Sequence, residues 1–310
     1  MKLNKPKFWD ENISFFSILL FPLSLLVLIY IFFKKKFTKT DKFKIPVICF
    51  GNIYIGGTGK TPSSILLANE LVRLGKNPVI VRKYYSGHLD EHYLIKENFK
   101  NFILNKSRVD GMKKAEKANY DSIILDDGFQ DYKIKKNLNV VCFNRNQLVG
   151  NGLVLPSGPL RENLSSLKYA HIVLINGKKD SDFEKKILNV NKNLKIFYSI
   201  YRPLNIDQFR DKNLFAVAGI GNPDNFFKLI EDYDLNILKK IIYPDHYKFS
   251  KIEIQNISDE AKKKGCQVVM TEKDYFKIKD FSINDIKYLK VSLEVDRKDE
   301  LLKIISRLYD

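Results

Sequence analysis

The stretch Gly51-Asn-Ile-Tyr-Ile-Gly56-Gly57-Thr58-Gly59-Lys60-Thr61-Pro62 constrains this 310-residue chain more than any other. A short apolar run, Pro46 to Phe50, precedes it and reads as a buried strand. A helical pattern from Ser63 to Leu74 follows and stops at Gly75. Strand, glycine-rich turn, Gly-Lys-Thr and helix is the layout of a phosphate-binding loop. Glycines let the backbone curl so that its N–H groups face phosphate oxygens, and the helix N-terminus adds a positive dipole. Gly56, Gly57, Thr58, Gly59, Lys60 and Thr61 are the expected nucleotide-binding residues. Lys60 would reach the outer phosphates and the Thr61 hydroxyl would ligate Mg²⁺. Pro62 suits a first helical turn, which needs no N–H from it. Tyr54 stands where the usual spacing has glycine, so the loop is a variant.

Upstream, Ile13 to Phe33 carries no charge and is long enough to cross a bilayer core of about 30 Å. No small-residue cleavage site follows it, so it reads as a membrane anchor rather than a signal peptide. Pro22 could bend it back into one leaflet. Lys34, Lys35, Lys36, Lys39, Lys42 and Lys44 come next and assign that flank to the cytoplasmic side. Each lysine near anionic headgroups adds attraction on the order of 1 kcal/mol. The whole chain shares the bias: 53 Lys and Arg against 36 Asp and Glu, a formal charge of +17. Such an excess suits a polyanionic partner, nucleic acid or an anionic membrane, unless it is only compositional bias. Cys49, Cys142 and Cys266 lie in apolar strand-like runs without metal spacing, as buried reduced thiols do.

From Pro46 onward strands and helices alternate, which implies a mostly parallel α/β sheet of the P-loop NTPase type. Strands are expected at 47–50, 78–82, 122–125, 140–143, 172–175 and 195–200. A second series begins at 214–218 and includes 241–243 and 268–270, with a closing helix near 298–308. Ser250 and Glu253 form a capping box for a helix that stops at Gly265. Arg202-Pro203-Leu204-Asn205 interrupts the pattern. The expected organisation is an anchor over 1–44, a nucleotide-binding domain over 45–205 and a smaller α/β domain over 206–310.

Asp121-Ser-Ile-Ile-Leu-Asp126-Asp127-Gly128-Phe129-Gln130 is an apolar strand ending in acidic residues. It places carboxylates where hydrated Mg²⁺ needs oxygen ligands beside the loop, although Asp-Asp-Gly is also ordinary turn chemistry. Together with the loop, this stretch resembles the tetraacyldisaccharide 4'-kinases of lipid A biosynthesis. So do Gly150-Asn-Gly, Leu155-Pro-Ser-Gly-Pro-Leu-Arg161-Glu162, Ala218-Gly-Ile-Gly-Asn-Pro223, Tyr243-Pro-Asp245-His246 and Thr271-Glu-Lys273-Asp274, in the family's order across residues 46 to 280.

The resemblance implies an ATP- and Mg²⁺-dependent kinase that phosphorylates the 4'-hydroxyl of a glucosamine disaccharide 1-phosphate. It acts at the cytoplasmic face of the bacterial inner membrane, with the lipid A precursor and membrane lipids as partners. It is expected to work as a monomer and without nucleic acid. The base would be Asp90, which with Glu91 matches the family's Asp-Glu motif, together with His246. The family's upstream Ser-Arg-Gly-Tyr-Gly appears here as Val81-Arg82-Lys83-Tyr84-Tyr85. The metal set would be Thr61, Asp126 and Asp127. Glu91, Gln130, Arg161, Glu162 and Asp245 would bind or position substrate. Lys273 and Asp274 contact ligand or cap a helix, and His88, His92 and His171 are structural or exposed. The rival reading is a membrane-tethered ATPase of the switch or partitioning type. Such loops usually carry lysine where Ile55 stands.

Overall fold

The computed structural model describes residues 6–9 and 13–309; residues 1–5, 10–12 and 310, which the expected anchor and last domain include, lie outside the described residues. The apolar run forms one helix, α1 (Phe15–Phe37). The Ser14 hydroxyl accepts from the Ser17 amide at its start, and Lys34, Lys35 and Lys36 occupy its last turn, where cations suit the carbonyl end. Pro22 lies inside the helix and does not end it. One stripe of α1 rests on the globular body. Ser24 donates to the Val154 carbonyl at 2.8 Å, the Asn151 amide donates to Ser17, and Val27 and Leu28 pack on a buried apolar cluster. The opposite face is apolar and exposed, with Leu19 and Leu26 about 60% exposed.

The globular part holds two sheets. The first draws on β1 (Val47–Gly51), β2 (Pro78–Lys83), β3 (Phe102–Asn105), β4 (Ser122–Asp126), β5 (Leu138–Asn144), β6 (Ile172–Asn176) and β7 (Lys195–Pro203). Between them run α2 (Lys60–Arg73), α3 (Leu89–Asn98), α4 (Arg108–Lys117) and α5 (Ser181–Leu188). The second sheet contains β8 (Asn213–Ala218), β9 (Asn236–Ile242), β10 (Cys266–Thr271) and β11 (Ile286–Leu289), covered by α6 (Pro223–Glu231), α7 (Lys251–Lys263) and α8 (Glu272–Ile278). Its order is β11-β10-β8-β9, all parallel. The chain then returns through β12 (Val291–Val295) and α9 (Lys298–Ser306) to the first sheet.

That sheet is ordered β12-β7-β6-β5-β1-β4-β2-β3, parallel except for β12. Its central strands are buried on both faces, so they read as continuous apolar runs. Because β1 pairs with β4, Phe50 lies level with Asp126. The phosphate loop and the Asp126-Asp127 pair therefore leave the sheet side by side, at the ends where ligands bind in such folds.

The last domain boundary needs correction. β12 pairs antiparallel with β7, and Leu301 and Ile305 of α9 sit in one core cluster with Ile48, Ile80 and Ile124. The second unit is thus an insertion, from about 206 to 289, in a first domain that also holds β12 and α9. The two connecting strands run together: the Leu204 amide donates to the Lys290 carbonyl at 2.8 Å, and the Lys290 amide to Asn205 Oδ1 at 2.8 Å. Ile305→Ala should therefore destabilise the nucleotide-binding domain by about 2–5 kcal/mol in urea unfolding. A change within error would contradict this placement.

Candidate active site

The loop is shaped from beneath. Asn52 is fully buried and donates to the Gly56 carbonyl at 3.2 Å and to Thr58 Oγ1 at 3.1 Å. Gln130 donates to the Asn52 carbonyl at 2.8 Å. Phe129 packs so closely on Gly51 that a Cβ there would lie 2.3 Å from the Phe129 Cβ. Gly56 and Gly59 adopt φ of +112° and +87°, where side chains are strained, and Gly59 starts α2. The helix begins at Lys60 rather than Ser63, so Lys60 and Thr61 stand in its first turn. Tyr54, the departure from the usual loop, is fully buried with Ile53 and Phe129. The variant position serves the core.

Asp126 accepts from Thr61 and Ser64 hydroxyls, each at 3.1 Å, and is paired with the buried Arg82 guanidinium. Asp127 faces Arg161 at 2.9 Å and the Lys60 ammonium at 3.8 Å. Burial would raise the Asp127 carboxyl, but Lys60 and Arg161 hold it well below the usual carboxylate range. Glu162, next to Arg161, is buried and paired with Lys35 of α1.

Asp90 opens α3 in the first domain, and His246 sits with φ of +57° in the loop after β9 in the inserted unit. Across the junction, His246 Nδ1 lies 2.8 Å from an Asp90 carboxylate oxygen. Lys273, in the first turn of α8, is 3.2 Å from both Asp90 and Asp245, and Lys277 is 3.5 Å from Asp90. Burial opposes the Asp90 charge, yet the His246 hydrogen bond and the two lysines keep this carboxyl ionised, well below its ordinary range. The Gly219 amide and the Thr271 hydroxyl donate to Asp274, each at 2.7 Å, which ties α8 to the Gly219–Gly221 turn. At Gly221 a Cβ would approach the Gly57 amide nitrogen to 3.0 Å. The inserted unit thus reaches both the phosphate loop and Asp90.

Two features escaped the sequence reading. Arg82 pairs with Asp126 and with Glu91 at once, and so joins the loop's carboxylate to the helix that bears Asp90. Its signal was the Arg shared with the family's Ser-Arg-Gly-Tyr-Gly. His88 lies closer than expected, with its ring 4.1 Å from that of His246 and Nδ1 3.3 Å from Glu91. Lys273 contacts site carboxylates rather than capping a helix, and the cap of α8 is Thr271, whose hydroxyl accepts from the Asp274 amide at 3.1 Å. Cys49 and Cys142 are buried, with burial raising their thiols to about 11 and about 12, but Cys266 is only half-buried at the start of β10.

His92 is structural, as expected: it is 5% exposed and stacked on Tyr84. Burial, and then Arg82, push its pKa down to about 4. An unfolded histidine titrates near 6.5, so the unfolded chain takes up this proton first. Its contribution to stability is complete above pH 6.5 and declines as pH falls towards 4. Melting temperature should therefore drop across that window, and less steeply in His92→Gln; equal slopes would contradict the buried neutral ring.

A glycine cradle carrying Lys60 and Thr61 beside Asp126, with Asp90 of the same domain met by His246 of the inserted unit, defines a P-loop phosphotransferase. Residues 16–310 match the family described as LpxK, Tetraacyldisaccharide-1-P 4'-kinase. The chain is 40% identical to the tetraacyldisaccharide 4'-kinase of Pelagibacter ubique (strain HTCC1062), covering 100% of this chain and 99% of that one. It is 32% identical to the enzyme of that name from Rickettsia bellii (strain OSU 85-389), covering 98% of both. In fold it is similar to the crystal structure of LpxK from Aquifex aeolicus in complex with ATP, with a TM-score of 0.73 at 23% identity over 95% of this chain and 99% of that one. The chain belongs to the tetraacyldisaccharide 4'-kinase family of lipid A biosynthesis, and it is a kinase.

Proposed function

We propose that the protein transfers the γ-phosphoryl group of ATP to the 4'-hydroxyl of an acylated glucosamine disaccharide 1-phosphate through Asp90 and His246. The observation that carries these roles is the 2.8 Å contact between the two residues across the domain junction. The hydroxyl oxygen attacks phosphorus, the bond to the β–γ bridging oxygen breaks, and ADP leaves. The hydroxyl proton passes to the Asp90–His246 pair, in which each partner orients the other. Lys60 and the loop amides hold the outer phosphates while charge shifts towards the leaving oxygen.

Thr61 and Asp126 form the hard oxygen set that suits Mg²⁺, hydroxyl and carboxylate 3.1 Å apart at the loop's mouth. Mg²⁺ held there would neutralise charge between the outer phosphates. Asp127 is aimed at Lys60 and Arg161, and in this reading it places those cations as well as supporting the metal. Gln130 fixes the loop, Glu91 fixes Arg82, Asp245 fixes Lys273, and Glu162 fixes α1.

The anchor lies along the cytoplasmic surface of the inner membrane rather than through it. Support comes from the stripe Ser17, Ser24, Leu28, Lys35, which engages the catalytic domain along the helix while the other face stays apolar and exposed. Leu19→Glu with Leu26→Glu should move the protein from membrane pellet to supernatant with its ATP binding intact. Continued sedimentation with membranes would contradict this orientation. The protein acts as a monomer on its lipid partners.

ATP consumption with and without the lipid acceptor tests the kinase reading. Consumption that needs the acceptor is expected; rapid ADP release in its absence would favour the ATPase.

A further inference from the structure

The apolar helix α1 carries two serines within its length, Ser17 and Ser24, seven residues apart and so on one face. They are 0% and 1% exposed, whereas most other side chains of the helix are exposed. An anchor needs only its apolar face, and hydroxyls add nothing to that. Both serines instead engage the loop 150–161. The Ser24 hydroxyl donates to the Val154 carbonyl at 2.8 Å and accepts from the Ser157 amide at 3.1 Å. The hydroxyl of Ser157, itself fully buried, stands 2.9 Å away. Asn151 joins the same contact, donating to Ser17 at 3.2 Å and to the Ser157 carbonyl at 2.9 Å.

The other end of this loop is paired with the phosphate loop. Leu160 bridges Tyr54 in antiparallel fashion, the Ile55 amide donates to the Pro159 carbonyl at 2.9 Å, and the Arg161 amide donates to the Ile53 carbonyl at 2.7 Å. Within the loop, Leu155 and Leu160 donate to the Leu160 and Leu153 carbonyls at 2.9 and 3.1 Å, which ties its two arms together. Ile55 leads directly into Gly56. Tyr54, where the usual spacing has glycine, therefore stands in an extended arm that is clamped before the glycines begin. Ordering a backbone costs entropy, and ATP that meets an ordered cradle does not bear that cost.

We infer that the buried face of α1 is a positioning element of the kinase: Ser24, through Ser157 and the 150–161 loop, holds the phosphate loop in its ATP-binding shape. Anchoring and positioning then fall on opposite faces of one helix. The inference rests on ATP binding at this loop and is independent of the roles of Asp90 and His246. Because such coupling is reciprocal, ATP in the cradle also steadies the seat of α1.

The test is ATP affinity and kinetics of the full chain in neutral detergent micelles. Ser24→Ala and Ser157→Ala break the contact from its two sides. Each should weaken ATP binding and raise the KM for ATP about tenfold, with kcat at saturating ATP nearly unchanged. The double variant should be little worse than the poorer single. Leu19→Glu with Leu26→Glu, which alters only the exposed face, should keep wild-type affinity, and so should Ile305→Ala, which destabilises the same domain away from the loop. Serine variants with unchanged affinity, or with a loss no larger than that of Ile305→Ala, would overturn the inference. An equal loss in the Leu19 and Leu26 variant would also overturn it, because the exposed face would then carry the effect. Deuterium uptake by wild type needs no variant: saturating ATP should slow it in segments 17–28 and 150–158. Unchanged uptake in both segments would overturn the inference even if the serine variants fail to fold.

Discussion

Lys60→Ala is expected to lower phosphoryl transfer by about 10³-fold or more, a loss near 4 kcal/mol of transition-state stabilisation. Lys60 is 8% exposed in the first turn of α2, and its ammonium is held 3.8 Å from Asp127, between the loop and the Asp pair. A cation so placed meets the charge that builds as the γ-phosphoryl group departs, and water screens it little. Because Lys60 leaves Asp127 with Arg161 as a partner, the fold should survive the change. Single-turnover rates beside ATP affinity would separate the two effects. Near-normal turnover would contradict the assignment of the loop.

Asp90→Ala and His246→Ala should each cost about 10²–10⁴-fold in kcat, the range of a positioned acid–base group, with a small change in KM for ATP. Asp90 is 2% exposed and touches His246, Lys273 and Lys277 together. Its removal therefore leaves the imidazole without the carboxylate that orients it. Two residues acting as one unit lose their function once, so the double variant should be little worse than the poorer single. Fully additive losses would show independent roles, and a parallel loss of ATP affinity in His246→Ala would move that residue to nucleotide binding.

Much of this was legible in the residues because the chemistry is local. The loop, its strand and its helix are contiguous, so Gly51 to Pro62 announced the phosphate site, and the register of β1 with β4 follows from two apolar runs. The capping box of Ser250 and Glu253 is present as read. Elements whose signal is split between chain segments were harder to place. β3 is a four-residue edge strand with only Phe102, Ile103 and Leu104 to mark it, and β12 carries Glu294 on one face, so neither stands out as a strand of the sheet. Lys239 and Lys240 interrupt β9, an edge strand that pairs them with Glu260 and Glu231; its expected start at Ile241 was therefore late. The return of α9 to the first core is a long-range event that periodicity cannot encode. Arg82 escaped for a similar reason: its two carboxylates lie on different elements, and nothing near it in the chain marks either. The meeting of Asp90 and His246, 156 residues apart, was available only through family resemblance.

The most direct measurement follows labelled γ-phosphate from ATP to the tetraacyldisaccharide 1-phosphate in detergent micelles, with Asp90→Ala beside wild type. A labelled bisphosphorylated lipid is expected from wild type, and at most about a hundredth of its rate from the variant. ATP hydrolysis by wild type with no label in the lipid would contradict it.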